Sequence, residues 1–377
     1  MRFRLNYRLI FAVLLLAGLA AAQIAREDRP AVLGAGLRLH AYVANSGDGT
    51  ISVLDLVSLS PVATVNVGRT PSNLKPLNVD KSGSEVWGLS GDEEGRVWVL
   101  RASDNKIAAS IPVGADPSGI EMSPDGRRAY VSVSGANSLL AIDTAARRIA
   151  GHARTGRHPG AARLTPDGRT LLVPNRDDGT LTLIDVASLQ TLATISVVAH
   201  PDQIAVLPDS SLAFVSSSGA NQLSAVDLRR RVLLTNIELD GAAGQLILKP
   251  DGGELYVTVP SSHGIQIVNT WMTEIADSMT VGLSPAAATL DPASGALYVS
   301  DSAAGRLLPI SVSTRHLQAP IPVGQNPAAS RVDPTGELLL VPNRDSNDVA
   351  VIRAKSGSLL TMLPAGSQPS EIAVLLF

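Results

Sequence analysis

The chain has 377 residues, 45 % of them hydrophobic and 17 % charged, a balance that excludes a disordered chain and provides for a large buried core. It has no cysteine, which excludes disulfide scaffolds, thiolate zinc sites, Cys-ligated iron–sulfur clusters, covalent c-type haem, lipoprotein acylation and Cys nucleophiles. A net charge of −3 and a pI near 6.1 give no electrostatic case for nucleic acid as a partner.

Arg2, Arg4 and Arg8 precede an apolar run, and Ala20-Ala21-Ala22 follow it. This order matches a secretory signal, with cleavage expected after Ala22. The apolar run Leu9 to Ala22 is 14 residues long, too short for the ~20 that span a bilayer. The expected mature chain is therefore periplasmic or secreted, without an integral membrane span, and a monomer. Residues 23–39 read as a short polar leader and 40–377 as one domain.

A repeat of 42 residues organises the rest. Its anchor is Pro71, Pro117, Pro159, Pro201, then Ala243 in the same slot, then Pro285, Pro327 and Pro369. The first interval is 46 residues, and the sequence places this small insertion near Gly91-Asp92-Glu93-Glu94. Two further markers stay in phase: a Pro-Asp-Gly type turn at Pro124, Pro166, Pro208, Pro250, Pro292 and Pro334, and an acid or amide at Asp143, Asp185, Asp227 and Asn269.

Within one unit four β-type runs alternate with turn chemistry: Ser118 to Met122, Arg128 to Val133, Ser138 to Asp143 and Arg148 to Arg154. The Asp-Gly between the first two is a hairpin turn. Gly135-Ala136-Asn137 reverses the chain again, and Asp143 is placed to accept hydrogen bonds from the turn after the third run. Four strands repeated at this period predict an all-β protein, a β-propeller of four-stranded antiparallel blades. Seven units run from Pro71 to Pro369, and Pro369 to Phe377 supplies only a first strand. The other three strands of that blade lie between His40 and Gly68. The ring is therefore expected to hold eight blades and to close by the last strand joining the first three, which leaves no free edge at the seam.

Tyr42-Val43-Ala44-Asn45 with Gly49-Thr50-Ile51-Ser52-Val53-Leu54-Asp55 is echoed by Leu172-Val173-Pro174-Asn175 with Gly179-Thr180-Leu181-Thr182-Leu183-Ile184-Asp185. These segments resemble the YVTN-repeat β-propeller family over almost the whole mature chain. The family resemblance implies likeness to bacterial exported and surface-layer propellers and, more distantly, to the eight-bladed haem d1 propeller of nitrite reductase and to seven-bladed lactonases. It implies a fold and no catalytic residue, because no catalytic motif of those proteins matches here.

Two loop sets are expected to ring one mouth of the channel. The residue before each anchor is Thr70, Asp116, His158, His200, Ala242, Ser284, Asn326 or Gln368, preceded in turn by Arg69 and Arg157 in two cases. A polar preference of such turns accounts for most of these, but two consecutive histidines also suit proton or metal chemistry. His158 and His200, with Asp116 or Asp202, form the candidate site for a divalent metal or an axial haem ligand; no other cofactor is expected. In the second loop set, Asn175-Arg176-Asp177 and Asn343-Arg344-Asp345 sit in identical pentapeptides 168 residues apart. That is four repeats, so the two copies are diametrically opposed. Each offers a guanidinium fork beside a carboxylate, able to clamp an anionic or polar ligand or only to stiffen its own loop.

The sequence contains no Gly-x-Ser-x-Gly. Trp87, Trp98 and Trp271 are expected to be packing residues, and 12 aromatics in all do not suggest a sugar-stacking groove. The leading expectation is a non-enzymatic binding or scaffold propeller whose partner is a protein, a polymer or a small molecule. The alternative is a cofactor-dependent or lactonase-like enzyme using the same mouth.

Overall fold

The computed structural model describes residues 38–77, 84–91 and 94–377. The secretory-signal segment lies outside the described residues, and one compact unit spans Leu39–Phe377. Apart from the 3-10 turns Ser134–Ala136 and Pro260–Ser262, the regular structure is all strand. Among the described residues no helix is long and apolar enough to cross a membrane.

The strands form eight antiparallel sheets. In blades 2 to 8 the four strands follow one another in sequence from the channel outward. Blade 1 is composite. Its outer three strands are Leu39–Asn45, Thr50–Asp55 and Ser60–Asn66, and its innermost strand is Pro369–Leu376. That last strand pairs Val43 with Ile372 and Tyr42 with Ala373. The expected eight-bladed ring and its seam are both present.

Alternation of side chains along each strand explains why the ring must close. Leu171 and Val173 of blade 4 pack with Tyr130, Leu139 and Ala141 of blade 3. Leu172, between them, packs with Ile204, Ala213 and Val215 of blade 5. The same division recurs all round, so that each of the eight apolar clusters lies between two consecutive blades and none within a single blade. A β-sheet hides one face per neighbour, and a blade has two faces to hide.

Turn chemistry follows the sequence closely. Asp143, Asp185 and Asp227 each accept the backbone N–H three residues on, at 2.8 Å, and Asn269 does the same for Trp271 and Met272. The hairpin glycines Gly126, Gly168, Gly252 and Gly336 hold φ between 67° and 76°, a left-handed conformation that glycine adopts without a Cβ clash. In blade 3 the observed strands Pro117–Met122, Arg128–Val133, Ser138–Asp143 and Arg148–Arg154 reproduce the expected runs.

Three features depart from the regular pattern. Most of the insertion in blade 2 is not near Gly91. Its second strand starts at Glu85, 14 positions after Pro71, whereas that of blade 3 starts at Arg128, 11 after Pro117. Three of the four extra residues thus fall between the first and second strands, and one between the second and third. The innermost strands shorten to Arg163–Leu164 in blade 4, Leu246–Leu248 in blade 6 and Arg331–Val332 in blade 8. In blades 4 and 8, Pro174 and Pro342 stand in the adjoining strands; each accepts from the segment just before the first strand, Gly160 and Ala328 N–H at 2.8 Å, but has no N–H to return. In blade 7 the outermost strand splits into His316–Leu317 and Ile321–Pro322, because Pro320 and Pro322 also lack that donor.

The turn aspartates make acid stability predictable. The Ser123 hydroxyl and the Arg127 N–H hold Asp125 below the ordinary 3.8, and the Ser188 hydroxyl and N–H do the same for Asp185. Ser211 likewise lowers Asp209, through its hydroxyl and then its N–H. A carboxyl lowered on folding contributes stability that is complete above its unfolded value and is lost as the pH falls through its folded one. The melting midpoint is expected to stay level from about pH 7 to about pH 5 and to drop below about pH 4. The variant Asp125→Asn/Asp185→Asn/Asp209→Asn should show a shallower acid limb. Thermal melts read this, and a midpoint that does not move down to about pH 3 would contradict it.

Candidate functional site at the channel mouth

Two loop sets meet on one face: the turns entering each blade at its anchor proline, and the loops between second and third strands. Backbone hydrogen bonds join them. His158 accepts from Arg176 N–H at 3.1 Å, His200 from Ser218 at 3.2 Å, Asn326 from Arg344 at 3.1 Å and Gln368 from Ser46 at 3.1 Å. The residue before the anchor has positive φ in Thr70, Asp116, His158, His200, Asn326 and Gln368, between 45° and 54°. Asn, Asp and His tolerate this left-handed conformation better than most side chains, so the backbone itself selects much of the polar ring.

A glycine before this turn is required sterically in several blades. A Cβ built on Gly156 would lie 2.7 Å from Asn175 Cγ, and one on Gly366 2.7 Å from Asn45 Cγ. Asn175 is fully buried; its Oδ1 accepts from Gly156 N–H at 2.9 Å while its amide donates to Thr180 and Thr182. Asn343 is buried equally and donates to Asp348 at 2.7 Å. Both asparagines hold the loop rather than face the mouth.

The remaining candidates divide into bound and free. Arg157 is committed to Asp178, with Nε–Oδ1 at 2.6 Å and its own N–H on Oδ2 at 2.7 Å. Those two donors, the N–H first, hold the Asp178 carboxyl below its usual range. His158 leans toward Asp177, Nδ1–Oδ2 3.8 Å, with its side chain 53 % exposed. The His200 ring covers Gly219. Arg176 forms an ion pair with Asp202 of the next blade. Asp345 accepts from Asn326 at 3.3 Å. Arg69, Asp116 and Arg344 have no side-chain partner among the described residues, and Arg69 and Arg344 are exposed.

The identical Asn-Arg-Asp loops are thus not equivalent. Four repeats on from Asp202 stands Ser370, whose hydroxyl turns to Ala44 O at 3.3 Å. Arg344 therefore lacks the carboxylate that fixes Arg176, and its fork stays in solvent.

Inside the channel the innermost strands carry a second charged layer that the sequence reading missed. Lys75, Glu121 and Arg163 occupy the fourth position after the anchor in blades 2, 3 and 4. Lys75 Nζ lies 3.0 Å and Arg163 Nη1 3.7 Å from the Glu121 carboxylate. Arg331 holds the same position in blade 8, opposite Arg163, with Nε on Ile372 O at 3.3 Å. Glu371 of blade 1 accepts Leu74 N–H of blade 2 at 3.1 Å, and Gln245 of blade 6 accepts Ala288 N–H of blade 7 at 2.8 Å. Reading the positions after each proline in register would have found them.

The histidine pair does not make the three-donor set of a zinc site: among the described residues no group of three or more His, Asp or Glu is arranged to hold a metal ion. Each imidazole stands on an exposed turn against a loop of its own blade, with no apolar enclosure for a porphyrin. Nor are all three tryptophans packing residues. Trp87 and Trp98 are buried, but Trp271 is 78 % exposed on the opposite face.

No protein-family model and no curated relative matches the chain, so the YVTN likeness rests on the repeat residues themselves. Solved structures do match. Dihydro-heme d1 dehydrogenase NirN in complex with DHE superimposes with a TM-score of 0.74 at 18 % identity, over 92 % of this chain and 77 % of that one. AztD of Citrobacter koseri gives 0.68 at 15 % identity, over 90 % and 98 %. Hydrazine synthase of Kuenenia stuttgartiensis gives 0.58 at 18 % identity, over 72 % and 93 %. At such identities the likeness is one of fold, and the fold is the β-propeller.

Proposed function

We propose that this propeller is an exported binding or scaffold protein whose channel mouth takes an anionic or polar ligand. The observation that carries the reading is the pair of opposed Asn-Arg-Asp loops, one locked by Asp202 and one left open by Ser370. A guanidinium without a carboxylate partner keeps its donors for a ligand. Arg163 and Arg331, on the same two opposed blades, extend the positive charge into the channel. Export rests on the order of charged, apolar and small residues in 2–22, and intact mass of the secreted protein should begin at Gln23.

A cofactor-dependent or lactonase-like enzyme is the second reading, favoured by the likeness to NirN. His158 and His200 have no third His, Asp or Glu gathered with them among the described residues, so no step is derived through such a group. The regular blade length, which builds no long loop at the mouth among the described residues, also favours binding over catalysis.

Polyphosphate and citrate serve as polymeric and small anionic probes in calorimetry at low salt. Arg344→Ala is expected to weaken binding roughly tenfold and to leave stability within ~0.5 kcal/mol, since its side chain is exposed and unpaired. Arg176→Ala should also lower stability, by up to ~1 kcal/mol, the range of a partly exposed ion pair. If neither probe binds, or if Arg331→Ala/Arg344→Ala binds both as the unaltered protein does, the mouth is not an anion site.

A further inference from the structure

On the face opposite the mouth, the hairpin and turn loops of blades 5 and 6 enclose a groove of about 390 Å³, within the size range of small-ligand pockets. Leu207, Pro208, Leu212 and Leu234 make an apolar wall, and Trp271 stands at the rim. The turn slot that holds Trp271 is filled by Val57, Ser103, Ala145, Ala187, Arg229, Ser313 and Lys355 in the other blades. Burying a large apolar side chain is worth about 1.5–3 kcal/mol, and at 78 % exposure Trp271 forgoes most of that. It contributes little to the fold where it stands. Gly253 lies beside it: a Cβ there would stand 3.4 Å from the indole Nε1, an ordinary van der Waals contact.

The lining carries Asp209, Asp227, Asp251 and Arg229, and each carboxylate has a cation beside it: Arg229 lies 3.4 Å from Asp209 within the lining, and outside it Lys249 lies 3.0 Å from Asp251 and Arg230 3.9 Å from Asp227. A cationic ligand therefore finds no carboxylate without a counter-ion. Carboxylates only accept hydrogen bonds, and the three in the lining keep lone pairs beyond those taken by the N–H groups of Ser211, Arg230 and Gly253, which suits an occupant rich in donors. It must also present an apolar face to the indole, because Trp combines a flat hydrophobic surface with one polar edge. Hydroxyl groups around a ring with C–H faces satisfy both demands without net charge.

We propose that this groove is a saccharide-binding site, in which one face of a neutral sugar ring stacks on Trp271 while its hydroxyls donate to Asp209, Asp227 and Asp251. Arg229, held to Asp209 by a single long contact, has N–H groups left to donate to ring or hydroxyl oxygens. The site is separate from the mouth, and neither depends on the other.

The protein supplies its own reporter. Trp87 and Trp98 are buried, so iodide quenching and solvent-dependent emission read Trp271 alone. The full chain is titrated with cellohexaose, maltohexaose and chitohexaose, and with hexyltrimethylammonium as an apolar cation. At least one hexasaccharide is expected to shift the emission to the blue, saturably, and to protect it from iodide. Trp271→Phe should retain binding within a few-fold, and Trp271→Ala should weaken it about tenfold, read by calorimetry. Arg344→Ala, on the other face, should bind the sugar unchanged. Failure of all three sugars up to about 10 mM, below which even weak saccharide affinities register, would overturn the assignment. So would unweakened binding by Trp271→Ala, or a response to the ammonium probe alone.

Discussion

Every apolar cluster among the described residues belongs to two blades at once. Tyr42, Ile51 and Val53 of blade 1 are buried only because Val86, Trp98 and Leu100 of blade 2 cover them, and blade 1 in turn covers Leu340, Val349 and Val351 of blade 8. No blade keeps a core of its own, so a missing neighbour would expose a full sheet face on each side of the gap. The strand Pro369–Leu376 therefore does more than complete a sheet. It supplies Ile372 and Val374 to one interface and Ala373 and Leu375 to the other, and so closes the ring between blades 8 and 2.

Polar links follow the same geometry near the axis. Glu371 reaches from blade 1 to blade 2, Lys75 meets Glu121 between blades 2 and 3, and Arg176 meets Asp202 between blades 4 and 5. A repeat multiplies such links, and what is left over stands out against them. Arg344 is left over because the residue one blade on is Ser370. Trp271 is left over because no neighbour rises to cover it. In both cases the distinctive chemistry arises where one unit breaks the pattern that the other units keep.

Periodicity made the architecture legible from the residues. The proline anchors set the blade count, the final run after Pro369 disclosed the seam, and Asp143, Asp185 and Asp227 cap their turns as their phase implied. These are local or register-based properties, carried by residues within a few positions of one another. Pairing across blades was less accessible. Arg176 and Arg344 have identical flanks, and only the residue standing opposite in the folded ring separates a fixed guanidinium from a free one. The thinned inner strands of blades 4 and 8 could have been anticipated from Pro174 and Pro342, whose missing N–H groups face the segment just before the first strand. The exposure of Trp271 follows from its slot in a surface turn, where composition alone suggests a core residue. The position of the extra residues in blade 2 depended on strand bounds that its polar segments do not mark.

Ring closure is measured most directly by hydrogen exchange at the seam. Leu39–Asn45 pairs with Pro369–Leu376; Ile372 O turns to Arg331 in the channel, so by antiparallel alternation the amides of Ala373 and Leu375 are the ones that face Leu39–Asn45, and both segments are buried between blades 8 and 2. Those two amides should exchange only through global unfolding, as slowly as Leu171 to Val173 in the middle of the chain, and respond to denaturant with the same slope. Exchange of the Ala373 and Leu375 amides at the rate of a fraying terminus, with the central blades still protected, would mean that the ring stands open.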